Sequence, residues 1–256
     1  MRIGMMNDPR KNACDEARWA AANGLDFLDL TIEGPAAEPD QIDQNELGAI
    51  CAATSLGIVG HTAWYLPFAS PVAAMRQAAV ASVAETFELF AQLQARVVNV
   101  HMVSCPHLFR HADCLRWNGE SFAQLAEIAA PYGLRIMVEH PPSTRFSLDD
   151  ICTILEADAR LGFHLDVGHA HVGRLKLGDV LEQLGPRLLH VHLSDNRGQS
   201  DDHLPLGTGT INWSQVLRRL KQSGYDDTFT LEVFSADRDY LLLSAQKVRA
   251  WWQAEA

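Results

Sequence analysis

The sequence predicts an α/β protein, a single (β/α)8 TIM barrel over residues 1–256, on three observations. Short apolar runs alternate with longer helix-period segments eight times, from one end to the other. Several of those runs lack polar alternation, as expected of parallel strands buried on both faces. Glycine stands just before most of the later strands, where helices stop. A chain of 256 residues is also the usual size for one such barrel. A doubly wound open sheet needs fewer units, and no Gly-rich phosphate loop follows any strand.

The elements follow in order. The first strand is read at Arg2–Met6, with a helix over Asn12–Asn23 that stops at Gly24. Leu25–Ile32 leads to the helix Gln41–Leu56 and Gly57, and Ile58–Ala63 to one long helix, Pro71–Leu93, capped by Ser70. Arg96–Val103 precedes a helix over Gly119–Tyr132 that stops at Gly133. Leu134–Glu139 precedes the helix Leu148–Ala157, whose start, Ser147-Leu-Asp-Asp150, reads as a capping box. Gly162–Asp166, Leu188–Leu193 and Thr228–Val233 complete the strands, and the helices Leu175–Leu184, Trp213–Ser223 and Arg238–Trp252 complete the outer ring. Gly162, Gly185 and Gly224 are read as further helix stops. The adjacent Trp251 and Trp252 suit packing on the barrel or a homodimer contact.

Composition narrows the function classes. The chain is 47% apolar and 21% charged, an ordinary globular balance. Its formal charge of −11 argues against broad binding to nucleic acid or an anionic membrane. The N-terminus lacks the apolar core of a signal peptide, and no run approaches a membrane span, so a cytoplasmic protein is expected. Five scattered cysteines with no CxxC form neither a disulfide framework nor a thiolate metal site.

The polar residues are the main clue. In such barrels chemistry sits at the C-terminal ends of the strands. His61 closes strand three, His101 strand four, Glu139 strand five, Asp166 strand six, His192 strand seven and Glu232 strand eight. Any one of these alone is an ordinary core histidine or a cap for the next helix. Six in one layer converge on a small volume, where clustered carboxylates and imidazoles need a cation or large pKa shifts. Mixed carboxylate and imidazole ligation suits a divalent metal such as Zn²⁺, Mn²⁺ or Co²⁺. His169 follows Asp166 by three residues, and Asp201 and His203 lie in the loop after strand seven, placed to ligate further ions or to orient the first. Asp202 is assigned to solvent. His164 and His190 lie one layer deeper and are read as interior packing or supporting hydrogen bonds.

The run His190-Val-His192-Leu-Ser-Asp195, the following Asp201-Asp-His203-Leu-Pro-Leu-Gly207-Thr-Gly209, VEH at Glu139, LDVGH at Asp166–His169 and LEV at Glu232 closely resemble the xylose isomerase-like TIM-barrel superfamily. That superfamily holds sugar and sugar-phosphate isomerases and epimerases, relatives acting on inositol-derived or dehydroshikimate-type substrates, and the endonuclease IV group of apurinic endonucleases. By the resemblance, Glu139, Asp166, His192 and Glu232 match the single-metal tetrad of the epimerases, whose two glutamates also move protons. In chain order, His61, His101, Glu139, Asp166, His169, His192, Asp201, His203 and Glu232 match the nine ligands of the endonuclease trinuclear zinc site. The resemblance thus implies one to three divalent ions, Zn or Mn.

The surroundings favour the sugar branch. His101-Met-Val stands where the endonucleases usually carry His-Pro-Gly, and His140-Pro-Pro-Ser where they carry an Asn-Thr-Ala-Gly-like run. Cations near the mouth are few, namely Arg110, Arg116, Arg145, Arg174 and Arg197, enough for one phosphate but thin for a duplex. The expectation is a metal-dependent isomerase or epimerase of a keto sugar, a sugar phosphate or a related polyol, with Glu139 and Glu232 as the proton-transfer pair. Arg197 and Glu33 are candidate substrate contacts. The alternatives are a multi-zinc phosphodiesterase acting on abasic DNA and a non-catalytic, metal-dependent sugar-binding barrel.

Overall fold

The computed structural model describes residues 1–254; residues 255 and 256, the end of the expected domain, lie outside the described residues. Eight strands close into a barrel in sequence order, all neighbouring pairs parallel, including β1 (Arg2–Met6) with β8 (Thr228–Leu231). Between them run β2 (Phe27–Ile32), β3 (Gly57–Thr62), β4 (Val97–His101), β5 (Arg135–Glu139), β6 (Gly162–Asp166) and β7 (Leu188–Leu193). The expected strands are all present, within two residues at each boundary. The near-continuous burial of FLDLTI and GFHLD reflects helices outside and packed side chains within.

The helices are α1 (Ala13–Ala22), α2 (Gln44–Thr54), α3 (Ala73–Ala84), α4 (Phe87–Gln92), α5 (His111–Ala129), α6 (Leu148–Leu155), α7 (Val167–Val172), α8 (Leu177–Leu184), α9 (Trp213–Gln222) and α10 (Asp239–Ala254). Three departures from the sequence reading have local causes. The long helix expected over 71–93 divides into α3 and α4. There the N–H and hydroxyl of Thr86 both turn back to the Val83 carbonyl, at 3.0 and 2.7 Å, and tighten the turn. Ser70 does not cap it: its hydroxyl accepts from Val72 N, and α3 starts at Ala73 with no side-chain cap. Gly119 is not a helix start but lies inside α5, buried where an added Cβ would come 3.1 Å from Ala157 Cβ.

Ser147 and Asp150 form the expected capping box of α6. Gly24, Gly133 and Gly224 take left-handed conformations at helix ends, with φ of 70°, 72° and 84°. Gly57 and Gly162 instead open strands, Ser55 taking the left-handed position after α2, and Gly185 is right-handed. Trp252 is buried with its ring 5.5 Å from Phe229, and Trp251 packs beside it, so this pair covers the barrel. All five cysteines are free thiols. Among the described residues no helix is long and apolar enough to cross a membrane.

Parallel register sets the polar layer. His101 pairs with Glu139, Asp166 with His192 and His192 with Thr230. One layer deeper, His164 pairs with His190. Side chains two residues apart on a strand share a face, so the ends of six strands present one ring of donors over a second polar ring.

Candidate active site and metal centre

Every strand of the closed barrel points the same way, so the strand-terminal donors meet at one mouth. His61 and Thr62 finish β3, His101 finishes β4, Glu139 β5 and Asp166 β6; His192 lies one residue before the end of β7, and Glu232 follows β8 directly. All are buried.

The nine expected ligands form one connected cluster. His101 Nε2 lies 3.0 Å from Glu139 Oε2, and the other oxygen of Glu139 is 3.1 Å from His169 Nδ1. His169 Nε2 is 3.0 Å from Asp201 Oδ2, which is also 3.0 Å from His203 Nε2. His203 Nδ1 is 3.6 Å from Glu232 Oε2, and His192 Nδ1 is 3.3 Å from the same oxygen and 3.7 Å from Asp166 Oδ2. His61 joins through its ring, 5.0 Å from that of His101 and 5.4 Å from that of His192.

The loop residues arrive there for identifiable reasons. Asp166 Oδ1 accepts the His169 N–H at 2.7 Å, capping α7, a short helix with no signal in the sequence reading. The cap turns His169 back over the mouth. The loop carrying Asp201 and His203 is pinned by Asp195, whose carboxylate accepts from Gly207 N, Ile211 N and Trp213 Nε1 at 2.8, 3.3 and 2.9 Å. His203 has φ of 47°, an uncommon conformation that turns its ring against Phe234 at 4.3 Å. Asp202, expected in solvent, is half-buried and accepts from Ser200.

Two buried residues were not anticipated. Asp29, midway along β2, accepts from Thr230 Oγ1 at 2.8 Å and lies 2.7 Å from His192 Nε2. Asn99 on β4 donates from Nδ2 to Glu139 Oε2, with His61 Nε2 and His101 Nε2 at 3.3 and 3.5 Å. The only signal for either was a polar side chain sharing a strand face with the mouth residues. His164 and His190 behave as the supporting layer. His164 Nδ1 is 3.2 Å from Glu139, and His190 meets Thr228, Thr230 and Asp29 at 2.7, 2.9 and 3.3 Å. Of the two candidate substrate contacts, Glu33 is half-buried and close enough to His61 for their charges to interact. Arg197 is exposed and joins no ion pair among the described residues.

Carboxylates and imidazoles crowd together in this buried cup and shift one another's protonation. Burial raises the Asp166 carboxyl to about 7, with Glu232 and Glu139 adding to the rise against His169 and His192. Burial also works against ionisation of Glu139, but His164, His101 and His169 hold it well below the usual carboxylate range. Glu232 is lowered in the same manner, by His192 and His203 against its burial. Burial disfavours charge on His192, yet Glu232 and Asp29 raise it well above an ordinary imidazole. His203 is raised to about 9 by Asp201, Glu232 and Asp166 against its burial.

These residues fit a divalent cation. Asp166 Oδ2 is buried with no hydrogen-bond partner, and Glu139, Asp166 and His192 have ligand atoms within 4.8 Å of one another. His61, His101 and Glu139 form a second such set. Carboxylate and imidazole donors of this kind suit zinc, manganese or cobalt.

Residues 17–255 match the family described as xylose isomerase-like TIM barrel. An uncharacterised protein of Methanocaldococcus jannaschii is 32% identical over 168 residues, 62% of this chain and 57% of that protein. An inosose isomerase of Halalkalibacterium halodurans is 30% identical over 135 residues, 48% of this chain and 47% of the enzyme. The matched segments thus span about half the length of these curated relatives. A solved structure of a D-tagatose 3-epimerase-like protein superposes with a TM-score of 0.88 at 25% identity, covering 100% of this chain and 98% of that one.

Proposed function

Because the chain belongs to the xylose isomerase-like TIM-barrel family, we propose that it is a divalent-metal-dependent isomerase or epimerase of a keto sugar or a related polyol. The observation that carries this reading is the convergence of Glu139, Asp166, His192 and Glu232 from four successive strands into one buried cup, with Asp166 Oδ2 lacking a hydrogen-bond partner among the described residues. The inosose isomerase and the epimerase-like structure among its relatives support the same reaction class.

A cation held by Glu139, Asp166, His192 and Glu232 would supply positive charge for two adjacent substrate oxygens and for the negative charge that develops between the proton transfers. The chain's own groups do the rest. Glu139 and Glu232 reach the cup from opposite sides of Asp166 and His192 in the strand order. One carboxylate removes the proton beside the carbonyl, and the other returns one to the opposite face or the neighbouring carbon. Burial of both groups excludes bulk water from the transfer. Glu33 and Arg197, at the rim, are assigned to substrate hydroxyls or a substrate phosphate.

A phosphodiesterase reading draws support from the nine-residue cluster, which has donors enough for two or three ions. The surface opposes it. Arg110 and Arg116, two of the few cations expected near the mouth, are held in ion pairs with Asp113 and Glu120. At a net charge of −11, little remains to track a nucleic-acid backbone.

The test is deuterium incorporation from solvent at the carbon beside the carbonyl, across a panel of ketoses, ketose phosphates and inososes. The metal-loaded protein is expected to label one group of these, and Glu232→Gln to bind it without labelling. Turnover retained by Glu232→Gln removes the two-glutamate mechanism. Cleavage of abasic DNA without labelling of any sugar removes the isomerase reading.

A further inference from the structure

The β2 residue Asp29 takes no part in the proton-transfer scheme, yet it has no exposure to solvent and lies directly behind the cup. Its Oδ2 is 2.7 Å from His192 Nε2 and receives the Thr230 hydroxyl at 2.8 Å. His190 Nε2 is 3.3 Å from the same oxygen. Its Oδ1 is 3.4 Å from His61 Nδ1, within ion-pair reach, and both atoms are buried with no hydrogen-bond partner among the described residues. One carboxylate therefore meets the inward-facing nitrogens of two imidazoles whose other nitrogens face the mouth. His192 Nδ1 points to Glu232 and Asp166, and His61 Nε2 to Asn99.

We infer that Asp29 is a positioning residue that holds protons on His192 Nε2 and His61 Nδ1, leaving His192 Nδ1 and His61 Nε2 as the lone-pair donors of the mouth. The inference rests on the metal-dependent reading above. An imidazole can offer a metal only the nitrogen that carries no proton, and the partner of its other nitrogen decides which one that is. Asp29, His61 and His192 are also close enough to share an ion directly. However, ligands about 2.1 Å from a tetrahedral zinc stand about 3.4 Å apart. The 2.7 Å between Asp29 Oδ2 and His192 Nε2 is a hydrogen-bond distance instead. The arrangement also accounts for a charged residue in the middle of a fully buried strand, since each imidazole needs an acceptor where water cannot reach.

Asp29→Asn tests this, because it keeps the shape but offers the two imidazoles one acceptor and one donor. Thr228→Val is the control: it removes a hydroxyl bonded to His190 in the same buried layer and leaves Asp29 alone. Zinc affinity by chelator competition is expected to fall about 10–100-fold in Asp29→Asn and to stay within about threefold in Thr228→Val, with zinc per chain equal in all three proteins. In the ¹⁵N-histidine spectrum of the unsubstituted, metal-free protein, a slowly exchanging proton on His192 Nε2 should lie far downfield, and a proton on His61 Nδ1 should be present. That readout needs neither a variant nor a metal. Their absence, an unchanged zinc affinity in Asp29→Asn, or the loss of a whole zinc equivalent in that variant overturns the inference, the last by making Asp29 a ligand. Failure of the unsubstituted protein to bind any metal would instead count against the proposed function.

Discussion

His192 Nδ1 lies 3.3 Å from Glu232 Oε2, so a side chain on β7 and one just past β8 meet across the buried mouth. This contact ties an expected ligand to an expected proton carrier, and it makes Glu232 the residue whose replacement separates binding from turnover. Glu232→Gln is nearly isosteric, keeps an acceptor oxygen and removes the base. Proton exchange should fall about 10²–10⁴-fold while Tm changes little, as read by NMR of the labelled sugar and by thermal melting. Loss of folding together with activity would show that the pair is structural.

Metal binding should release protons. In the metal-free cup burial holds Asp166 near 7, and His203 sits near 9 beside Asp201 and Glu232, so at neutral pH these donors carry protons that a cation must displace. Apparent affinity should therefore rise with pH, about tenfold per unit for each proton displaced, the Asp166 contribution levelling off above about pH 7 and that of His203 above about pH 9. Calorimetry in buffers of different ionisation heat counts the protons directly. An affinity independent of pH between about 5 and 8 would mean that neither Asp166 nor His203 is a ligand.

Asp195 is predicted to matter for stability rather than chemistry. Its buried carboxylate accepts four hydrogen bonds from the loop and helix start after β7, from Asn196 N, Gly207 N, Ile211 N and Trp213 Nε1, and no cation pairs with it among the described residues. Asp195→Asn turns one acceptor into a donor facing donors, a cost of about 2–3 kcal/mol, or a fall in Tm of roughly 5–10 °C. The loop carrying Asp201 and His203 should become more open to hydrogen exchange. An unchanged melting curve would contradict this role.

Gly209 belongs to the same loop for a steric reason. A Cβ there would stand 2.3 Å from both the Asn196 carbonyl oxygen and Asp195 Oδ1. Gly209→Ala should cost about 2–3 kcal/mol by forcing the loop off its anchor, visible in chemical denaturation. Gly24→Ala is a useful contrast: nothing lies within 4 Å, so its cost comes from the φ of 70° alone.

Much of this arrangement was legible in the sequence because a parallel barrel converts strand ends into one face. Glu139 and Asp166 could be placed from the last residue of an apolar run, and His169 from its spacing after Asp166. Asp29 and Asn99 were hidden for the complementary reason. Each lies inside a strand, where the sequence shows only a polar residue in an apolar run and cannot show which neighbour faces it across the interior. The turn between Glu85 and Phe87 was also missed, because it depends on the Thr86 hydroxyl competing for a backbone carbonyl inside a segment whose apolar spacing reads as continuous helix. The cap that Asp166 places on α7 belongs to the same class, a local side-chain bond with no periodicity.

The most direct test of the account is metal content per chain, measured by elemental analysis on protein purified without chelator or nickel affinity and then again after soaking in manganese, cobalt or zinc. At least one tightly held ion per chain is expected, lost in Asp166→Asn with the fold intact. A protein that retains no ion after soaking, while folded and with Asp166 unaltered, would contradict it.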